Sequence, residues 1–190
     1  RFTLAALAAQ GRDVRLSEDI ICGYRNFTNK IWNASRFVFV HLKDFKTEKN
    51  FNPLNHYSLA DKWILSRTNN LIRTVRRALD SYKFNEAANS LYQFIWHEFC
   101  DWYIEFSKER LVNGENKEAC RRATQQVLVD VLNIILKLLH PFMPFVTEEI
   151  WQKLPGNKGS ITVSHFPKEN REFCNVEAEE GLELIKEVIY

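Results

Sequence analysis

The chain has 190 residues, 45% of them hydrophobic, and a formal net charge of +2. That is enough apolar content for one cored domain with at most a short appendage, and it excludes a disordered chain. Fourteen Phe, six Tyr and five Trp stand against only six Gly and five Pro, which favours long packed elements with few turns, so the expected class is all-α.

Charge is unevenly divided. Residues 1–83 carry 15 Lys+Arg against 7 Asp+Glu, while residues 84–190 carry 11 against 17. A basic half of this kind suits contact with a polyanion, and an internal fit between basic and acidic helices accounts for it equally well. The cysteines, Cys22, Cys100, Cys120 and Cys174, never form Cys-x-x-Cys, and the histidines lack a ligand spacing, so neither a zinc site nor a redox pair is expected. No stretch approaches the roughly 18 apolar residues of a membrane span. The opening, Arg1 then Phe2 to Ala9, reads as helix interior without signal-peptide flanks, as if cut from a longer cytoplasmic protein.

Ser17, Glu18 and Asp19 mark a helix start, a capping hydroxyl followed by acids that suit the positive end of the dipole. The helix is expected to run to about His41, burying Ile20, Tyr24, Phe27, Ile31, Ala34 and Val38. Asn26, Lys30, Asn33 and Phe37 form a second stripe about a third of a turn away. Amides that can read base edges, an ammonium that can meet phosphate and a ring that can stack are the groups an unpaired RNA loop needs. Packing of Phe37 on a neighbour, with the polar residues merely solvated, explains the stripe as well.

Residues 43–57 read as a connecting loop. A second helix begins at Ser58, with Asp61 completing a box-like pattern and Ile64, Thr68, Leu71, Ile72, Val75 and Leu79 facing inward. Asn69, Asn70, Arg73, Arg76 and Arg77 lie off that face as a basic stripe suited to phosphate, or to salt bridges with an acidic neighbour. The third helix, 84–112 with a stop at Asn113-Gly114, is aromatic on all sides and belongs at the centre of a bundle. Its Glu98, Asp101 and Glu105 are read as partners for Arg121, Arg122 or the second helix rather than as catalytic carboxylates. A fourth helix over 115–139 ends at Pro141, and a fifth begins at Pro144 and ends at Pro155-Gly156. Ser160 to Phe166 alternates as a short extended segment, and an amphipathic helix is expected from about Val176.

Several strings carry a resemblance. Gly23-Tyr24-Arg25-Asn26-Phe27 with Asn29-Lys30-Ile31-Trp32-Asn33-Ala34-Ser35-Arg36-Phe37 resembles the first helix of the anticodon-binding domain of valyl-tRNA synthetases. Phe99-Cys100-Asp101-Trp102-Tyr103-Ile104-Glu105 resembles that family's third-helix signature. His140-Pro141-Phe142-Met143-Pro144-Phe145 with Thr147-Glu148-Glu149-Ile150-Trp151 resembles the corner after its fourth helix, which the isoleucyl and leucyl enzymes share. Arg1 to Asp13 is similar to the stretch after the family's Lys-Met-Ser-Lys-Ser loop.

The resemblance implies a bundle of about five helices over 17–155, a connection from a catalytic domain over 1–16, and an extended segment with the start of a further helix over 156–190. It implies that Lys30, Asn33 and Phe37, with Arg15 as a neighbour, face the anticodon loop of tRNA(Val); if the domain binds RNA, the basic stripe of Arg73, Arg76 and Arg77 is expected to touch backbone phosphates. No nucleotide-binding or activation motif occurs, so the implied valine attachment, with its ATP and Mg2+, belongs to the enzyme's own catalytic domain outside this sequence. No cofactor, DNA or membrane is expected here. The same domain of an isoleucyl or leucyl enzyme, or a helical docking scaffold that binds no RNA, are the alternatives.

Overall fold

The computed structural model describes residues 1–8, 13–14, 16–45, 51–112 and 118–189, so the expected stop at Asn113-Gly114 lies outside the described residues. Ser17 accepts from the Ile20 amide and opens α2, Glu18–His41, which is preceded by the short α1, Phe2–Leu7. Phe27, Ile31, Ala34 and Val38 are buried as their spacing predicts. After a 3-10 turn at Pro53–His56, α3 spans Leu59–Asp80. Its start is a full capping box: the Asp61 amide donates to Ser58 Oγ, and the Ser58 amide donates to the Asp61 carboxylate. Both otherwise orphaned amides are thereby satisfied.

The central helix is continuous over 84–112 but not uniformly α-helical. α4, Phe84–Gln93, passes into a π-helical segment, Phe94–Tyr103, and then into α5, Ile104–Val112. Periodicity alone does not signal the wider turn, which re-aims side chains over those ten residues. Phe94, Phe99 and Tyr103 are buried there, while Trp96, Trp102 and Phe106 are partly buried against the core. α6, Glu118–Leu139, and α7, Pro144–Trp151, complete the bundle around Val127, Leu128, Val131, Ile135, Leu136 and Leu138. Asp61, 1% exposed, receives hydrogen bonds from Tyr103 and Thr124 in this core, with the Arg110 guanidinium 3.9 Å away.

The alternation over 160–166 does not produce an extended segment at its apolar residues. Ile161–Val163 is a 3-10 turn, with Ile161 buried and Val163 83% exposed. Glu148 accepts from Ser160 Oγ at 3.0 Å and from the Ile161 amide at 3.1 Å. With no strand to pair with among the described residues, these bonds to α7 decide the backbone.

The rest of the chain folds back along α3. After a 3-10 turn at Arg171–Phe173, α8 spans Val176–Ile189. Glu179 of α8 accepts from Ser66, Arg67 and Asn70. Asn69 is 6% exposed and exchanges hydrogen bonds with Asn170, so it does not belong to the outward stripe that its position suggests. Lys186 lies 4.4 Å from the Trp63 ring centroid and 5.7 Å from that of Trp102, and donates to Glu183 at 2.7 Å.

Candidate nucleic-acid interface

The buried stripe of α2 fixes which side of the helix is left over. On that side Asn26 and Asn33 are exposed, Lys30 is partly exposed and Phe37 is half-buried. The four residues fall within one narrow arc and span about 16 Å of axis. Phe37 packs against the core, with its ring centroid 4.5 Å from that of His41. Burial, and then the Arg121 guanidinium, hold His41 below the usual histidine range.

Lys30 is a held cation. Its Nζ donates to Asp101 Oδ1 at 2.6 Å and sits 4.9 Å from the centroid of the Trp96 ring. The two charged side chains are 33% and 36% exposed, so the pair opens to solvent. Asp101 Oδ2 also lies 3.4 Å from His97 Nδ1. Trp96 is braced by Tyr92, stacked on it with centroids 5.5 Å apart. The sequence does not point to Asp101 or Trp96 as neighbours of Lys30, because they lie about 70 residues away; the only local hint is the four-residue spacing of His97 and Asp101.

Glu98, Asp101 and Glu105 of the central helix pair with cations other than Arg121 and Arg122. Asp101 takes Lys30 of α2, and Glu105 takes Lys108 of its own helix at 2.6 Å. Glu98 takes Arg67 of α3, as the second-helix option allowed, through two bonds of 2.7 and 2.8 Å. Hydrogen bonds and charge from Glu98 and Glu179 outweigh burial and raise the Arg67 guanidinium further above its usual range. Part of the charge asymmetry is therefore spent inside the molecule, with cations of the first half meeting carboxylates of the second.

The arginine stripe on α3 is divided. Arg73 and Arg77 are exposed, and Arg73 donates to the Asn70 side chain. Arg76 is half-buried, donates to the Pro167 carbonyl at 3.1 Å and lies 5.9 Å from the Phe166 ring centroid. The structure does not set Arg76 beside Lys30: Lys30 faces Trp96 and Asp101, whereas Arg76 faces the segment after α7. Arg15 lies outside the described residues. Among the described residues no three His, Cys, Asp or Glu side chains converge as a metal-ligand set. No helix among them is long and apolar enough to cross a membrane.

Residues 61–190 match the sequence profile of the anticodon-binding domain of tRNA ligases. This chain belongs to that anticodon-binding domain family. The match begins within α3, and relatives extend the similarity over α2. The chain is 51% identical over 189 residues to a valine–tRNA ligase of Pseudothermotoga lettingae, covering 100% of this chain and 21% of that protein. It is 50% identical over 193 residues to that of Geobacter sulfurreducens, again with 100% and 21% covered. For Thermotoga maritima the identity is 51% over 179 residues, with 94% and 20% covered. This anticodon-binding domain thus spans about a fifth of the relatives it matches. Its fold is also similar to part of the LeuRS of Agrobacterium radiobacter K84, solved as a ternary complex with tRNA and LeuAMS. The TM-score is 0.64 at 14% identity, with 92% of this chain and 20% of that one covered.

Proposed function

We propose that this domain holds the anticodon stem-loop of tRNA(Val) and positions that tRNA for a valine–tRNA ligase, whose catalytic domain attaches valine using ATP and Mg2+ in the cytoplasm. The observation that carries the reading is the solvent-facing side of α2, where two exposed amides, a held ammonium and a half-buried ring lie along about three turns. Asn26 and Asn33 read base edges, Phe37 supports a splayed base, and Arg73 and Arg77 meet backbone phosphates, with Arg15 near the loop. On this reading residues 1–16 connect to the catalytic domain, 17–155 hold the RNA, and 156–190 brace α3 and lead toward the remainder of the ligase.

A docking scaffold that binds no RNA is the second reading, favoured by the internal pairing of Lys30 and Arg67. A filter-binding titration separates the two. The chain is titrated with a valine-type stem-loop and with an unrelated one, at low and moderate salt. Salt-sensitive binding that prefers the valine loop is expected; equal binding to both loops counts against base reading, and no binding supports the scaffold.

A further inference from the structure

Building on the tRNA(Val) reading, we propose that Asp101 is itself a base-reading residue, accepting a hydrogen bond from the exocyclic amine of an anticodon adenine or cytosine while Lys30 donates to the neighbouring ring nitrogen. The role that residue type alone suggests for Lys30, a cation for phosphate, does not fit its surroundings. A carboxylate 2.6 Å from the ammonium, and 36% exposed, neutralises that charge and repels a second anion. Lys30 is also fixed over Trp96, so it presents its protons from one place instead of sweeping the surface.

This pair offers a ligand one site that only donates and, beside it, one that only accepts. An isolated phosphate satisfies the first and violates the second. A base edge with an amine next to an unprotonated ring nitrogen satisfies both, and adenine and cytosine each present that edge. Valine codons begin with G and U, so every valine anticodon carries adenine in the middle and cytosine at its last position. Asn26 and Asn33, one turn to either side of Lys30 on α2 and both exposed, flank the pair with further donors and acceptors for the adjacent nucleotides.

The test removes the amine and the carboxylate separately and together. Stem-loops carrying purine riboside in place of the middle adenosine, or pyrimidin-2-one riboside in place of the last cytidine, each lacking only the amine, are titrated against the wild-type chain, Asp101→Ala and Asp101→Asn. For the wild type, removing the contacted amine is expected to weaken binding about tenfold or more, the usual scale for a lost hydrogen bond to a charged group. In Asp101→Ala that penalty should vanish, because no acceptor remains to lose its partner. In Asp101→Asn, which keeps a carbonyl, part of it should persist, and circular dichroism spectra of both variants should match the wild type. The salt slope should be the same for wild type and Lys30→Ala, since Lys30 displaces no phosphate counterion. If Asp101→Ala keeps the full penalty at both positions, or the wild type shows none, Asp101 is not a base reader. Those results leave tRNA(Val) binding intact, whereas wild-type failure to prefer the valine loop overturns the functional reading and this inference with it.

Discussion

Tyr103 donates its phenolic proton to Asp61 at 2.7 Å, joining the middle of the central helix to the first turn of α3 inside the core. Both residues are shut from solvent, at 0% and 1% exposure. The carboxylate is satisfied from four directions, by the Ser58 amide and hydroxyl, Tyr103 and Thr124. Asp61 thus caps one helix and ties it to two others.

Removing Asp61 should therefore cost more than losing a cap. Asp61→Ala strands several buried donors and leaves Arg110 without its carboxylate, so a loss of about 3–5 kcal/mol is expected. Tyr103→Phe leaves Asp61 with its remaining donors and should cost about 1–2 kcal/mol. Urea denaturation of the two variants checks the order, and an Asp61→Ala loss no larger than that of Tyr103→Phe would contradict it.

Alkaline pH should unfold the domain through groups held protonated in its core. Burial, then the charge of Asp61, push the Tyr103 phenol well above its usual value; burial pushes the Cys100 thiol up to about 12. Burial likewise moves Tyr57 up to about 12. A raised folded pKa means that the stabilisation is complete below the unfolded value and is lost as pH rises beyond it. From about pH 8.5 for the thiol and about pH 10 for the phenols, stability should fall, by about 1.4 kcal/mol per pH unit for each fully buried group. Denaturation midpoints from pH 8 to 11 measure this, and Tyr103→Phe should flatten the curve above pH 10.

On the acid side the sign reverses. Burial holds His140 below the usual histidine range against the opposing charge of Glu148. Its ring nitrogens lie 2.8 Å from Thr147 Oγ1 and 3.1 Å from Thr162 Oγ1, linking α7 to the 3-10 turn at Ile161–Val163. The unfolded chain takes up the proton more readily, so stability present above about pH 6.5 is lost as pH falls through the folded value. The melting temperature of His140→Gln should drop less between pH 7 and 5 than that of the wild type. Some acid sensitivity will remain, because His41 is shifted in the same direction.

Two classes of RNA defect are expected. Phe37→Ala should remove about 1–3 kcal/mol of base stacking and narrow the preference for the valine loop. Arg77→Ala should weaken binding to every stem-loop alike and reduce the salt slope by about one. Stem-loop titrations at several salt concentrations distinguish the two, and a Phe37→Ala variant with undiminished preference would remove that ring from the reading surface.

Local chemistry in the sequence set the helices. The Ser17 and Ser58 caps, the Phe27-Ile31-Ala34-Val38 stripe, the Pro144 start and the side of α2 left to solvent depend on neighbours within a turn or two, and periodicity reports such neighbours directly. Contacts across the fold decided the rest. Lys30 finds Asp101 some 70 residues away, Asn69 is buried by Asn170, and Arg76 is drawn to Pro167. The Ile161–Val163 turn is set by Glu148, which lies on α7. A side chain at the edge of a helical stripe has no local reason to choose solvent or a partner; only the packed bundle, by placing a carboxylate or a carbonyl within reach, makes that choice.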